Sequence, residues 1–168
     1  MTDPTEFVLT PLLADVPTED WGEVLALGVR VEVAAGQLVF RQDDAANDLM
    51  VLLSGSVSVS VRGRSGEVEL AELGPGSVLG ELAFLLGGSR AATVRAIGPT
   101  AMLRFPNAAF QEMLNTRTPT AFQILFNIAR TEASRLREAD LLVRELSLRP
   151  PDSPEILGLH QKLLGGGG

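Results

Sequence analysis

Short apolar runs broken by glycine fill the first two thirds of this chain, and helical periodicity fills the last third. Val29, Val31 and Val33 alternate with polar residues, and Ala35-Gly36-Gln37 then turns the chain into Leu38-Val39-Phe40. Two short strands are predicted there. Leu49 to Leu53 is a third. Val57, Val59 and Val61 alternate with serines, which puts valines on one face and hydroxyls on the other, as in a half-buried antiparallel strand. Beyond Gly63-Arg64-Ser65-Gly66, the residues Val68, Leu70 and Leu73 continue the series until Gly74-Pro75-Gly76 breaks it. Ala92–Ile97 and Ala101–Phe105 complete it. Strands this short and this regularly punctuated predict a β-barrel or jelly roll.

Helices flank the strands. Pro17-Thr18-Glu19-Asp20, with Trp21, Val24 and Leu25 behind it, predicts a short helix over 18–28. Gly80 to Leu86, closed by Gly87-Gly88, has room for one or two turns. Pro106 to Asn115 is helical, and a helix of about 27 residues runs from Pro119 towards Leu148 until Pro150-Pro151 stops it. Along that helix Phe122, Ala129, Leu136 and Val143 recur every seventh residue beside Leu125, Phe126, Ala133 and Leu146. This stripe is longer than one barrel can cover. Its first turns are expected to pack on the barrel, and its distal half, with Leu141 and Leu142, suits either the same packing or a partner helix. One domain over 10–148 is expected, followed by a tail over 149–168. The tail is a linker from Arg149 to Pro154, an apolar piece with Ile156, Leu157, Leu159, Leu163 and Leu164, and Gly165–Gly168. The apolar piece is either a tethered docking peptide or a helix folded onto the body.

Composition narrows the chemistry. At 168 residues with 45% hydrophobic and 21% charged, the chain suits one packed domain. Fourteen Lys and Arg against 21 Asp and Glu give a net charge of −7, a field that repels nucleic acid. No cysteine is present and the single histidine is His160, so zinc sites of the Cys/His kind, thiol catalysis and a histidine-based triad are excluded. A jelly-roll metalloenzyme would need histidines inside the barrel, and none precedes His160. No enzyme activity, metal or cofactor is expected. With no basic-then-apolar opening and no apolar run of bilayer length, the expectation is a cytoplasmic protein without a membrane partner.

The informative stretch is Gly80-Glu81-Leu82-Ala83 followed, nine residues after Glu81, by Arg90-Ala91-Ala92-Thr93-Val94. A glycine opening a short helix leaves free N–H groups at the positive end of the peptide dipoles, and Gly80 lets a ligand approach the backbone. Arg90 begins the next strand and can return to the same spot as a forked phosphate donor. Beside a phosphate, Glu81 would be repelled unless it faced a hydroxyl pair, and a sugar 2′-OH is its natural partner. Taken alone, a Glu and an Arg nine apart are more often a surface ion pair worth under about 1 kcal/mol.

The whole pattern resembles the phosphate-binding cassette of cyclic nucleotide-binding domains, in the form nearest to the regulatory subunits of cAMP-dependent protein kinase. The wider architecture is also similar to the effector domain of the catabolite activator protein. The resemblance covers roughly 10–146. It implies a mainly β fold, a β-roll of about eight strands with an N-terminal helix, a short cassette helix and long C-terminal helices. It also implies a cyclic nucleotide under the cassette helix, Arg90 on the cyclic phosphate and Glu81 on the ribose 2′-OH. Backbone groups of Gly80, Leu82, Ala83, Ala91 and Ala92 would line the pocket, with Thr93 following. Members that favour cGMP usually carry Thr or Ser directly after the arginine; Ala91 stands there, which favours cAMP. Such members usually have glycine in the turn after the second strand, where this chain has Asp43. Aspartate tolerates the left-handed turn, so the loop is expected to survive without effect on the phosphate site.

In such proteins the last helix is both a lid over the base and a dimer seam. Arg135 and Leu136 are placed where a lid would meet the base. The expected function is a stand-alone cyclic nucleotide sensor whose C-terminal helix signals to an effector protein, with a homodimer through that helix open to it. A ligand-free scaffold assembling through the helix and tail is the alternative. A transcription factor is disfavoured because only about 20 residues follow the long helix, too few for a helix-turn-helix, and the tail's cations are Arg149 and Lys162.

Overall fold

The computed structural model describes residues 11–63, 66–150 and 153–158. Its strands are β1 (Val29–Val33), β2 (Leu38–Phe40), β3 (Leu49–Ser54), β4 (Val57–Gly63), β5 (Gly66–Leu73), β6 (Val78–Leu79), β7 (Thr93–Ala96) and β8 (Thr100–Phe105). They form two four-stranded sheets, β1-β8-β3-β6 and β2-β7-β4-β5, in which every described pairing is antiparallel. The helices are α1 (Trp21–Ala26), α2 (Glu81–Leu86), α3 (Asn107–Asn115) and α4 (Pro119–Ser147), with one-turn 3-10 segments at Pro11–Leu13 and Thr18–Asp20.

Strand β3 has no alternation because both its faces are buried. Leu49, Val51 and Leu53 point to the helices, where they meet Leu103, Phe105, Phe110, Met113, Ile124 and Ile128. Leu52 and Met50 point between the sheets, into a second core with Val57, Leu79, Val94 and Met102. In β4 the valines line that inner core through Val57 and Val59. The roll is thus filled from inside and covered by helices on one sheet.

The structure adds a strand that was not expected and refines the helices. β6 is only two residues long, and its Val78-Leu79 lies hidden between glycine-rich breaks. The 18–28 helix divides into a 3-10 turn and α1. α4 runs 29 residues. It also packs with a different face: Ala121, Ile124 and Ile128 are buried, while Phe122 is 52% and Phe126 60% exposed. The heptad positions Phe122 and Ala129 are therefore outside from the first turns, while Leu125 beside them packs against the core as expected. The root of α4 is fixed by Asn127, whose side-chain amide donates to Leu12 O at 2.9 Å and Ala14 O at 2.6 Å. The tail is described only to 158, with 154–158 helical and Arg149 paired to Glu145 and Glu155. The apolar positions Leu159, Leu163 and Leu164, with His160 and the terminal glycines, lie outside the described residues.

Candidate functional site

A cavity opens where the cassette meets the inner core, walled by Phe40, Val59, Leu73, Val78 and Val94 and by Gly80 to Ala83, Arg90 to Ala92 and Arg135. Gly80 precedes α2 with φ +77°, the left-handed conformation that only glycine adopts freely. A Cβ there would lie 2.1 Å from Arg90 Nη1 and 3.0 Å from Asp48 O. The space at Gly80 is therefore taken by a side chain of the protein itself, where a ligand was expected. Arg90 Nη1 fills it and donates to Asp48 O at 2.8 Å and Gly80 O at 3.3 Å.

Arg90 is 2% exposed, the largest of the fully buried side chains. It stands before β7, in the connecting segment rather than in the strand. Its guanidinium carbon lies 4.4 Å from the Phe40 ring centroid, a stacking that fixes the cation against an apolar wall. Burial lowers its pKa, and the carboxylates of Asp48, Glu81 and Asp44 oppose that shift. Arginine stays charged regardless. Its Nε is buried with no hydrogen-bond partner. A buried charged donor without a partner is costly, and an anion is what would satisfy it.

The loop after β2 holds the arginine's backbone. Asp43 N–H donates to Arg90 O at 2.9 Å and Arg90 N–H to Asp44 O at 3.0 Å, while Ala45 bridges Ser89. Asp43 takes φ +71°, as expected of aspartate in that turn. The loop does bear on the site, however, because it sets the height of Arg90.

Glu81 faces the same cavity with 13% of its side chain exposed, and its Oε1 accepts from Arg135 Nη1 at 2.5 Å. Arg135 also donates to Glu132 Oε1 at 2.9 Å and to Val78 O at 3.1 Å. Burial first, and the neighbouring Glu81 carboxylate second, push the Glu132 carboxyl up to about 7.

The geometry thus brings together Gly80, Glu81, Leu82, Ala83, Arg90, Ala91, Ala92 and Arg135. Thr93 and Leu136 are not brought to this wall. The Thr93 hydroxyl accepts Gln42 N–H at 3.0 Å and lines another cleft with Arg41, Arg62 and Arg95; Leu136 is 72% exposed. Sequence reasoning missed Phe40, Asp48 and Glu132. Asp48 contributes a main-chain carbonyl, which no sequence pattern advertises, whereas Phe40 at the end of an apolar strand could have been found.

Two four-stranded sheets, with a buried arginine and a glycine-led short helix beside one cavity, define a roll-type domain with a cation seated in its wall. The sequence profile of the family described as "Cyclic nucleotide-binding domain" matches residues 30–117. The chain belongs to this family. It is 39% identical over 136 residues to Glutaminase 2 of Bradyrhizobium diazoefficiens, covering 81% of this chain and 21% of that protein. It is 38% identical over 80 residues to the cAMP-dependent protein kinase type II regulatory subunit of Drosophila melanogaster, covering 47% of this chain and 21% of that one. Among solved structures, the catabolite activator protein of Thermus thermophilus superposes with a TM-score of 0.74 at 30% identity, over 82% of this chain and 63% of that one. The chain spans about a fifth of the length of these two curated relatives. Among the described residues no helix is long and apolar enough to cross a membrane.

Proposed function

We propose that this domain is a regulatory sensor for cAMP, with Arg90 on the cyclic phosphate and Glu81 on the ribose 2′-OH. The observation that carries the reading is Arg90 itself: a buried guanidinium, oriented by two carbonyls and a ring, whose buried Nε–H has no partner. A carboxylate has room for several donors, so Glu81 can accept a ribose hydroxyl while Arg135 keeps its own bond. Ala91 offers no hydroxyl to a guanine amino group, which favours adenine. The relative among protein kinase regulatory subunits supports the same choice.

The signal leaves through α4, which reaches the cavity at Arg135 and turns its exposed stripe outward. The occupant of the stripe is an effector protein or a second copy of the chain. Ligand can bias α4 only by binding one of its positions better than another. In the curated relatives the matched segment is a fraction of a longer chain, so the output is a property of whatever is joined or docked to this domain.

The test is titration of the purified protein with cAMP and with cGMP by calorimetry, with thermal melts alongside. Micromolar or tighter binding of cAMP, weaker binding of cGMP and a raised Tm are expected. Absence of binding at millimolar concentrations of both would leave the ligand-free scaffold as the better reading.

A further inference from the structure

Where α4 meets the cassette, two carboxyl groups share one guanidinium. Glu81 comes from α2, and Glu132 and Arg135 from α4. Among the described residues, Glu81 and Arg135 are the charged groups that act on Glu132, while Arg90 is linked by charge to Glu81. Both carboxyl groups crowd a single nitrogen, Arg135 Nη1, which lies 2.5 Å from Glu81 Oε1 and 2.9 Å from Glu132 Oε1. Ionised carboxylates only accept, so a bond between them requires a proton on one. With 13% of Glu81 and 19% of Glu132 exposed, water screens little of their repulsion.

We infer that Glu132 is a positioning residue of the site: as a protonated acid bridging to Glu81 it completes the seat of Arg135, so that α4 docks on the cassette with uptake of up to one proton. Its carboxyl titrates at about 7 when docked, against an ordinary value of 4.5. Once α4 lifts away, Glu132 returns to water and to that ordinary range. A carboxyl raised by docking favours the docked position fully below 4.5, and this contribution is lost as the pH rises through about 7. Between pH 8 and pH 6 the docking equilibrium therefore strengthens about tenfold. The latch itself concerns the ligand-free protein; its consequence for affinity rests on the cyclic nucleotide reading above.

Hydrogen exchange on the ligand-free full chain tests it, comparing the α4 segment 131–138 at pH 6 and pH 8 after correction for intrinsic rates. Wild type should lose about tenfold protection at the higher pH. Glu132→Gln, neutral and isosteric, with an amide to donate to Glu81, should hold its protection at both. Glu132→Ala should be poorly protected at both, and Glu138→Gln, on an exposed position of the same helix, should respond as wild type does. A wild-type pH response in Glu132→Gln overturns the proposal, as does a carbon-13 titration of the Glu132 carboxyl centred between pH 4 and 5. If cAMP binds the docked position of α4 better, as a lid over the base requires, wild type should bind it up to about tenfold tighter at pH 6 than at pH 8, and Glu132→Gln equally at both. Failure of cAMP to bind either protein at either pH would overturn the nucleotide reading alone, because the exchange measurement needs no ligand.

Discussion

Arg90 and Arg135 meet at one cavity and are held in different ways. Arg90 is 2% exposed and is seated on main-chain carbonyls and a phenyl ring. Arg135 keeps 38% of its side chain exposed and is seated chiefly on two carboxyl groups. Carbonyls belong to the fold and neither titrate nor rotate away; carboxyl side chains do both. The cassette is accordingly the fixed half of the site and α4 the half that can respond. The same division holds along α4, whose first turns are anchored by Asn127 and whose distal half is mostly exposed.

The largest effect should come from removing the fixed cation. Arg90→Ala is expected to weaken cAMP binding about ten- to a hundredfold or more in calorimetry, since charged hydrogen bonds contribute about 1.5–3 kcal/mol. Arg135→Ala, which leaves the phosphate donor in place, should cost less than about tenfold. Equal losses in the two variants would break the distinction between a fixed and a responsive half.

Gly80→Ala sharpens it next. The new methyl would meet Arg90 Nη1 at 2.1 Å in a left-handed conformation. We expect a stability loss of about 2 kcal/mol, read as a fall in Tm of about 4–8 °C, with weaker cAMP binding because the guanidinium is displaced. A variant as stable as wild type with unchanged affinity would mean that Arg90 has other seats. Asn127→Ala acts on the root of α4. It strips two carbonyls of their donor and should cost about 1.5 kcal/mol in a thermal or denaturant melt, with cassette affinity little changed.

These contrasts also explain what could be read from the sequence. Alternation and glycine punctuation marked the long strands, because one face of each is polar or both are buried. β6 escaped since two residues carry no period. The cassette was legible because its requirements are local: a glycine at positive φ, a short helix and an arginine a fixed distance on. The partners of Arg90 were not, being carbonyls that every residue has. Glu132 was equally silent, since its role depends on α4 crossing α2. The heptad on α4 was legible as a stripe but not as an exposed one. Which face packs is decided by contacts such as Asn127 to Leu12, 115 residues apart.

The smallest expected effect on the isolated fold is at that stripe. Leu136, 72% exposed, and Val143, 60% exposed, touch little of their own domain, so Leu136→Glu should change monomer stability by no more than about 0.5 kcal/mol. Its effect on assembly should be large if a second copy covers the stripe, because a charge buried at the centre of a helix pair is left unpaired. Sedimentation of wild type and variant over a range of concentrations separates these. A dimer lost on substitution assigns the stripe to a second chain; a wild type monomeric throughout assigns the responsive half of the molecule to a different partner.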